Sequence, residues 1–97
     1  MRLIVEPQAQ ADVDDAVSWY DAQDFGLGSA FIASLKSLLS RIAEKPERYP
    51  FHRAGLRRAS LRRFPYAVFY TQSNDSIYIH GVMHHRRDLR ALNDRLN

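Results

Sequence analysis

The stretch Arg57-Arg58-Ala59-Ser60-Leu61-Arg62-Arg63-Phe64-Pro65-Tyr66-Ala67-Val68-Phe69-Tyr70 decides how the rest of the chain is read. An arginine-studded run meets a dense aromatic run through a proline, and the two runs, joined across Arg63-Phe64-Pro65, predict an antiparallel pair of strands. Alternation in the first run places Arg58, Ser60 and Arg62 on one side and Ala59 and Leu61 on the other. One side is cationic and the other can enter a core. A sheet with such a face suits an anionic partner, whether RNA, DNA or an acidic protein.

Downstream, Gln72-Ser73-Asn74-Asp75 is polar turn chemistry, and Ile77 to His84 alternates again. Ile77, Ile79 and Met83 fall on one face and Tyr78, His80, Val82 and His84 on the other, so both faces are partly apolar and the strand is expected to be internal. Three successive strands make an antiparallel meander. Asp88 is then a candidate N-cap, with Leu89, Leu92 and Leu96 at i, i+3 and i+7 predicting a short docking helix.

Upstream, Pro46 to Arg53 holds two prolines within five residues and no periodicity. It reads as a loop from a helix layer to the sheet, with Tyr49 and Phe51 expected to pin it to the core. Before it come two helices. Arg2 to Glu6 reads as a short strand ended by Pro7, and proline suits a first helical position because its missing N–H would lack a partner there anyway. Val13, Ala16, Val17 and Tyr20 form the apolar stripe of a helix from Pro7 to about Gln23, with Asp12, Asp14, Asp15 and Asp21 off the stripe. Asp24-Phe25-Gly26-Leu27-Gly28 breaks the run, and a second helix is expected from an N-cap at Ser29. Phe31, Leu35, Leu38, Leu39 and Ile42 give it a stronger stripe, and the residue before Pro46 ends it by Lys45. A short link between amphipathic helices makes an αα-hairpin that can lie on one face of a sheet. The prediction is an α+β fold in one domain, residues 1–97: N-terminal strand, αα-hairpin, three-stranded antiparallel meander and short C-terminal helix.

Composition narrows the setting. The 97 residues contain no cysteine, which excludes a disulfide framework or thiolate metal site. No apolar run approaches the length of a membrane span, and Met1 to Glu6 is too short for a signal-peptide core, so a reducing cytoplasm is the expected location. The net charge of +3 is unevenly placed: Lys and Arg against Asp and Glu number 5 to 8 over residues 1–50 and 9 to 3 over residues 51–97. The halves therefore carry about −3 and +6, and the basic half contains arginine and no lysine. Planar guanidinium groups bind phosphate and carboxylate bidentately.

Several of these residues, taken in order, resemble the RelE/ParE toxins of type II toxin-antitoxin modules, and the ParE branch more closely. They are Trp19-Tyr20, Gly26-Leu27-Gly28 followed by Phe31, Leu35, Leu38 and Leu39, Pro46 to Pro50 around Tyr49, Arg62-Arg63-Phe64-Pro65-Tyr66 with Tyr70, and Val82, His84, Arg86, Arg87 and Asp88. The resemblance implies a RelE/ParE-like fold and a small basic toxin held inactive in a hetero-oligomer by a cognate antitoxin. RelE-like members cut messenger RNA on the ribosome, whereas ParE-like members poison DNA gyrase, with the αα-hairpin as the proposed gyrase contact. The chain departs from the wider family pattern in its tail, having Leu89 and Leu92 where proline and tryptophan are common.

Two groups of residues are candidates for the site. Arg57, Arg58, Arg62, Arg63, Arg86 and Arg87 are candidates for binding an antitoxin or another anion. A charged strand edge that discourages aggregation competes with that reading, although it needs one or two charges and usually mixes signs. The second group is His84 or His85 with Arg62 and Arg86, which could supply the base, acid and positive charge of a metal-independent ribonuclease. Histidines that satisfy a strand end account for the same residues. Neighbouring strand residues face opposite ways and no carboxylate pair or cysteine stands nearby, so a metal is not expected, nor is a cofactor. RelE-like nucleases surround the substrate with lysines and arginines, or with glutamate, arginine and histidine, and usually add a C-terminal tyrosine. This chain has no lysine after Lys45 and no tyrosine after Tyr78, which favours a non-catalytic gyrase inhibitor. Three functions stay open: gyrase inhibitor, ribosome-dependent endoribonuclease and non-toxic interaction module.

Overall fold

A computed structural model describes residues 1–86 together with Asp94 and Arg95. Strand β1 (Arg2–Val5) leads into helices α1 (Pro7–Gln23) and α2 (Leu27–Glu44), and a single 3-10 turn at Pro46–Arg48 follows. Strands β2 (Phe51–Arg53), β3 (Leu56–Ser60), β4 (Tyr66–Ser73) and β5 (Ser76–His84) then complete a five-stranded sheet in the order β1-β5-β4-β3-β2. β2 to β5 run antiparallel to their successive neighbours. β1 crosses to the far side and pairs parallel with β5, Leu3 opposite Ile77 and Val5 opposite Ile79. The architecture is the expected α+β arrangement with two additions, a fifth strand and a parallel pair.

The helices form where the apolar spacing predicts. Ala9, Val13, Ala16 and Tyr20 of α1 are buried, and so are Phe31, Leu35, Leu38 and Ile42 of α2. Both stripes face the same side of the sheet and meet Val68, Tyr70, Ile77 and Ile79 there. An aromatic knot closes one end of this core: Tyr20 lies edge-on to Phe64 at 4.9 Å, and Phe31 lies edge-on to Tyr66 at 5.1 Å between ring centroids. Each large side chain so buried contributes on the order of 1.5–3 kcal/mol.

The hairpin turn corrects one boundary. Ser29 is not the N-cap; α2 begins at Leu27, with Gly26 before it at a left-handed φ of 86°. Gly26 offers no side chain to cap the helix, and Asp21 of α1 supplies the cap instead, its carboxylate accepting the Gly28 N–H at 2.8 Å. The cap comes from the preceding helix, so spacing within α2 did not reveal it.

The segment Pro46 to Arg53 is likewise more ordered than a loop. The Tyr70 hydroxyl donates to the Pro46 carbonyl at 2.7 Å, and β2 pairs with β3 by placing Phe51 opposite Arg57. Tyr49 packs against the core as expected, but Phe51 stays 57% exposed because the outermost strand has no layer above it.

The sheet's second face holds a smaller cluster of Leu56, Ala67, Phe69 and Met83. The simple alternation along Ile77 to His84 does not hold. Phe69 pairs with Gly81 and Tyr70 with Ile79, so His80 is an extra residue at a bulge. The bulge shifts the pleat, bringing Val82 into the helix-facing core beside Ile77 and Ile79 and sending Met83 to the opposite cluster. The helix predicted from Asp88 through Leu89, Leu92 and Leu96 lies outside the described residues, as does Arg87; Asp94 and Arg95 are helical. No helix among the described residues is long and apolar enough to cross a membrane.

Candidate functional site

β3 presents its two arginines to opposite faces, and both fold back on the protein. The Arg57 guanidinium donates to the Tyr49 carbonyl at 2.6 Å and stacks 3.9 Å above the centre of the Phe51 ring. It fastens the outermost strand and the turn before it, a cation–π contact combined with a charge-assisted hydrogen bond. Burial pushes the neighbouring Tyr70 phenol up to about 12, with Arg57 working against that rise. Arg58 lies on the other face, 6.0 Å from the Phe69 ring centre, with its Nε buried and without a hydrogen-bond partner.

Arg62 and Arg63 are placed differently. They sit exposed in the β3–β4 loop, whose ends are drawn together by Leu61 N–H donating to the Tyr66 carbonyl at 2.9 Å. Across from them runs a face of α2 that carries Ser34, Ser37 and, in the last turn, Arg41. Between loop and helix lies a groove of about 350 Å³, lined by Arg41, Arg62 and Arg63 with the hydroxyls of Ser34, Ser37 and Ser60. Arg41 was not singled out from the sequence. Its signal was present, because Ala30, Ser34, Ser37 and Arg41 recur at i, i+4, i+7 and i+11 and make a second stripe of small and polar residues.

The histidines end β5. His84 stands opposite Tyr66 in register, its ring edge-on at 5.4 Å, and its Nδ1 accepts the Arg86 backbone N–H at 3.2 Å. An Nδ1 that accepts carries no proton, so this contact selects the tautomer protonated at Nε2. The His85 backbone N–H donates to the Pro65 carbonyl at 2.9 Å, while its Nε2 is buried without a partner. These bonds bring the His84-His85 turn and the β3–β4 loop to one end of the sheet. Arg86 is exposed at that turn. Among the described residues no three His, Asp or Glu side chains are grouped so as to hold a metal ion.

Two further features were not foreseen. The bulged His80 shares a hydrogen bond with the Thr71 hydroxyl at 2.8 Å, and burial lowers its pKa below the ordinary histidine value, more than Glu6 raises it. At the hairpin tip Phe25 is fully exposed, and Trp19 of α1 is 48% exposed. Of the neighbours Trp19 and Tyr20, only Tyr20 turns inward.

The wider comparisons bear on this arrangement. A search of curated proteins finds no sequence match. Among solved structures, a chain of the chromosomal ParDE TA system from P. aeruginosa superposes with a TM-score of 0.78 at 17% identity, covering 87% of this chain and 95% of that one. At that identity the likeness speaks to the fold. The family model for the ParE toxin of the type II toxin-antitoxin system, parDE, matches residues 3–89, and the chain accordingly belongs to the ParE toxin family.

Proposed function

We propose that this chain is a cytoplasmic toxin that inhibits DNA gyrase by binding, without chemistry of its own, and is neutralised by a cognate antitoxin in a hetero-oligomer. The observation that carries this reading is the use the fold makes of its nuclease candidates. The His84 Nδ1 is taken by a backbone N–H and the His85 Nε2 is buried, while Arg62 and Arg86 stay exposed on the surface. A general acid–base pair needs to reach a ribose hydroxyl and a leaving oxygen, and burial works against that. Phe25 supports the same reading, since a fully exposed phenylalanine at a turn contributes nothing to the core and suits insertion into a partner.

Expression of the chain alone, with cellular DNA breaks compared against messenger RNA fragments, separates the alternatives. Breaks are expected. The double substitution His84→Ala/His85→Ala should leave growth inhibition intact, whereas Phe25→Ala should weaken it while shifting unfolding by less than about 0.5 kcal/mol. RNA fragments that vanish with the double substitution would establish the ribosome-dependent endoribonuclease instead. Unimpeded growth would indicate a non-toxic interaction module.

A further inference from the structure

The sheet ends in two outer strands, β1 and β2, and only β2 is built to discourage a copy of itself. We infer that β1 is a self-association strand: two copies of the chain pair β1 with β1, antiparallel about a two-fold axis at Ile4, with Arg2 of each copy opposite Glu6 of the other. The inference goes beyond the toxin reading and does not rest on it.

The backbone sets the register. Arg2 and Glu6 donate their N–H groups to the carbonyls of Asp75 and Ile79, both at 3.0 Å, so the even-numbered residues of this segment bond towards β5. Alternate residues of a parallel strand bond to opposite sides, and Leu3 and Val5 therefore turn their N–H and C=O groups outward, past the last strand of the sheet. An antiparallel strand satisfies such groups only where outward residues oppose outward residues. Setting Leu3 opposite Val5 does so at both ends of a symmetric pair, places Ile4 opposite Ile4, and brings Arg2 opposite Glu6. Glu6 keeps extended backbone, with φ −64° and ψ 151°, so the pairing can run through it.

Charge selects the occupant and its direction. Arg2-Leu3-Ile4-Val5-Glu6 begins with a cation, ends with an anion and is apolar between, so an antiparallel copy matches opposite charges whereas an in-register parallel copy opposes like ones. The ion pairs among the described residues are Arg48 with Glu44 and Arg95 with Asp12, and neither includes Arg2 or Glu6. The other edge is the contrast. β2 has three residues, Phe51-His52-Arg53, with an irregular register and no carboxylate, and shortness, irregularity and like charge all discourage pairing with a copy. Beside β1 there is also room for side chains. Val5, 40% exposed, lines an apolar groove of about 210 Å³ with Val13, Ile32, Leu35, Leu39 and Val82, and the pairing sets Leu3 of the second copy beside Val5 at its rim. The two five-stranded sheets then join into one, and the open β1 edge disappears.

The test is sedimentation equilibrium of the purified chain at neutral pH. A short strand pair is a small interface, so a monomer–dimer equilibrium with a Kd of about 1–100 µM is expected. Arg2→Glu and Glu6→Arg should each weaken it about ten-fold or more, because the two-fold axis repeats every like-charge pair. The double reversal Arg2→Glu/Glu6→Arg sets opposite charges against each other again and should return the Kd to within about three-fold of the wild type. Arg53→Glu, the same reversal on β2, should leave it within about two-fold. Circular dichroism checks that each variant is folded. Hydrogen exchange gives an independent reading: protection of the Leu3 and Val5 amides should rise with protein concentration, whereas that of Ile4, which bonds towards β5, should not. A chain that stays monomeric up to about 1 mM leaves the edge to a strand of another protein and overturns the inference. Single reversals without effect overturn it too, as do a double reversal that fails to restore the dimer and an equal loss in Arg53→Glu.

Discussion

Gly26 and Asp21 together make the turn between the helices possible. Gly26 takes a φ of 86°, which costs a residue with a Cβ about 1–2 kcal/mol, and nothing stands near enough to clash with an added methyl. Gly26→Ala should therefore lower unfolding free energy by about that amount, measured by urea titration, from backbone strain alone. Asp21→Ala should cost about 0.5–2 kcal/mol through loss of the cap on Gly28, and Asp21→Asn should recover most of it because an amide oxygen still accepts. At this scale the sequence was legible where a residue's partners are near in the chain. Glycine in a turn needs no knowledge of the rest of the fold. Arg57 does, because its partners Tyr49 and Phe51 lie in a segment without periodicity, and an arginine looks equally fit for an external anion or an internal carbonyl.

Elements were legible in proportion to how regular they are. The stripes of α1 and α2 predicted both helices because a period of 3.6 is carried by many residues at once. The face assignment of β5 failed at one residue. A bulge leaves no mark on composition, and after His80 every side chain changes sides relative to strict alternation. The bulge makes β5 sensitive to pH. His80 has its pKa lowered by burial, so the unfolded chain takes up its proton first as pH falls through the ordinary value near 6.5. Stability is present in full above that value and is lost as pH falls towards the lower folded pKa. The urea midpoint should drop between pH 7 and 5, and His80→Gln, which keeps a partner for Thr71, should flatten that part of the profile. A profile as steep in His80→Gln as in the wild type would assign the drop to other groups.

Over the whole molecule, Asp12 is the point where distant parts of the chain meet. Its carboxylate accepts the Val82 N–H at 3.0 Å, where β5 has run past the end of β1, and it receives Arg95 through two guanidinium nitrogens at 2.8 and 3.2 Å. Arg95 also donates to the His80 carbonyl at 3.1 Å, so α1, the bulge and the C-terminal segment share one network. A double-mutant cycle on Asp12→Ala and Arg95→Ala should give a coupling of about 0.5–3 kcal/mol, and the Asp12 variant should be the worse single change because it also strips the Val82 acceptor. A cycle that closes to zero would show the contact to be without energetic weight. Neither this network nor the pairing of β1 with β5 was legible, since both join residues some seventy positions apart and no local pattern encodes such a match. That pairing sets an order in time. The strand made first is completed last, because Leu3 waits for Ile77 to emerge. At synthesis rates of about 5–20 residues per second, the finished hairpin holds Phe31, Leu35, Leu38 and Ile42 uncovered for a few seconds before the sheet arrives. A message cut before the codon for Ser76 would remove Ile77, Ile79 and Val82 from that core for good and leave β1 without its partner, and the fragment would be marked for aggregation or degradation.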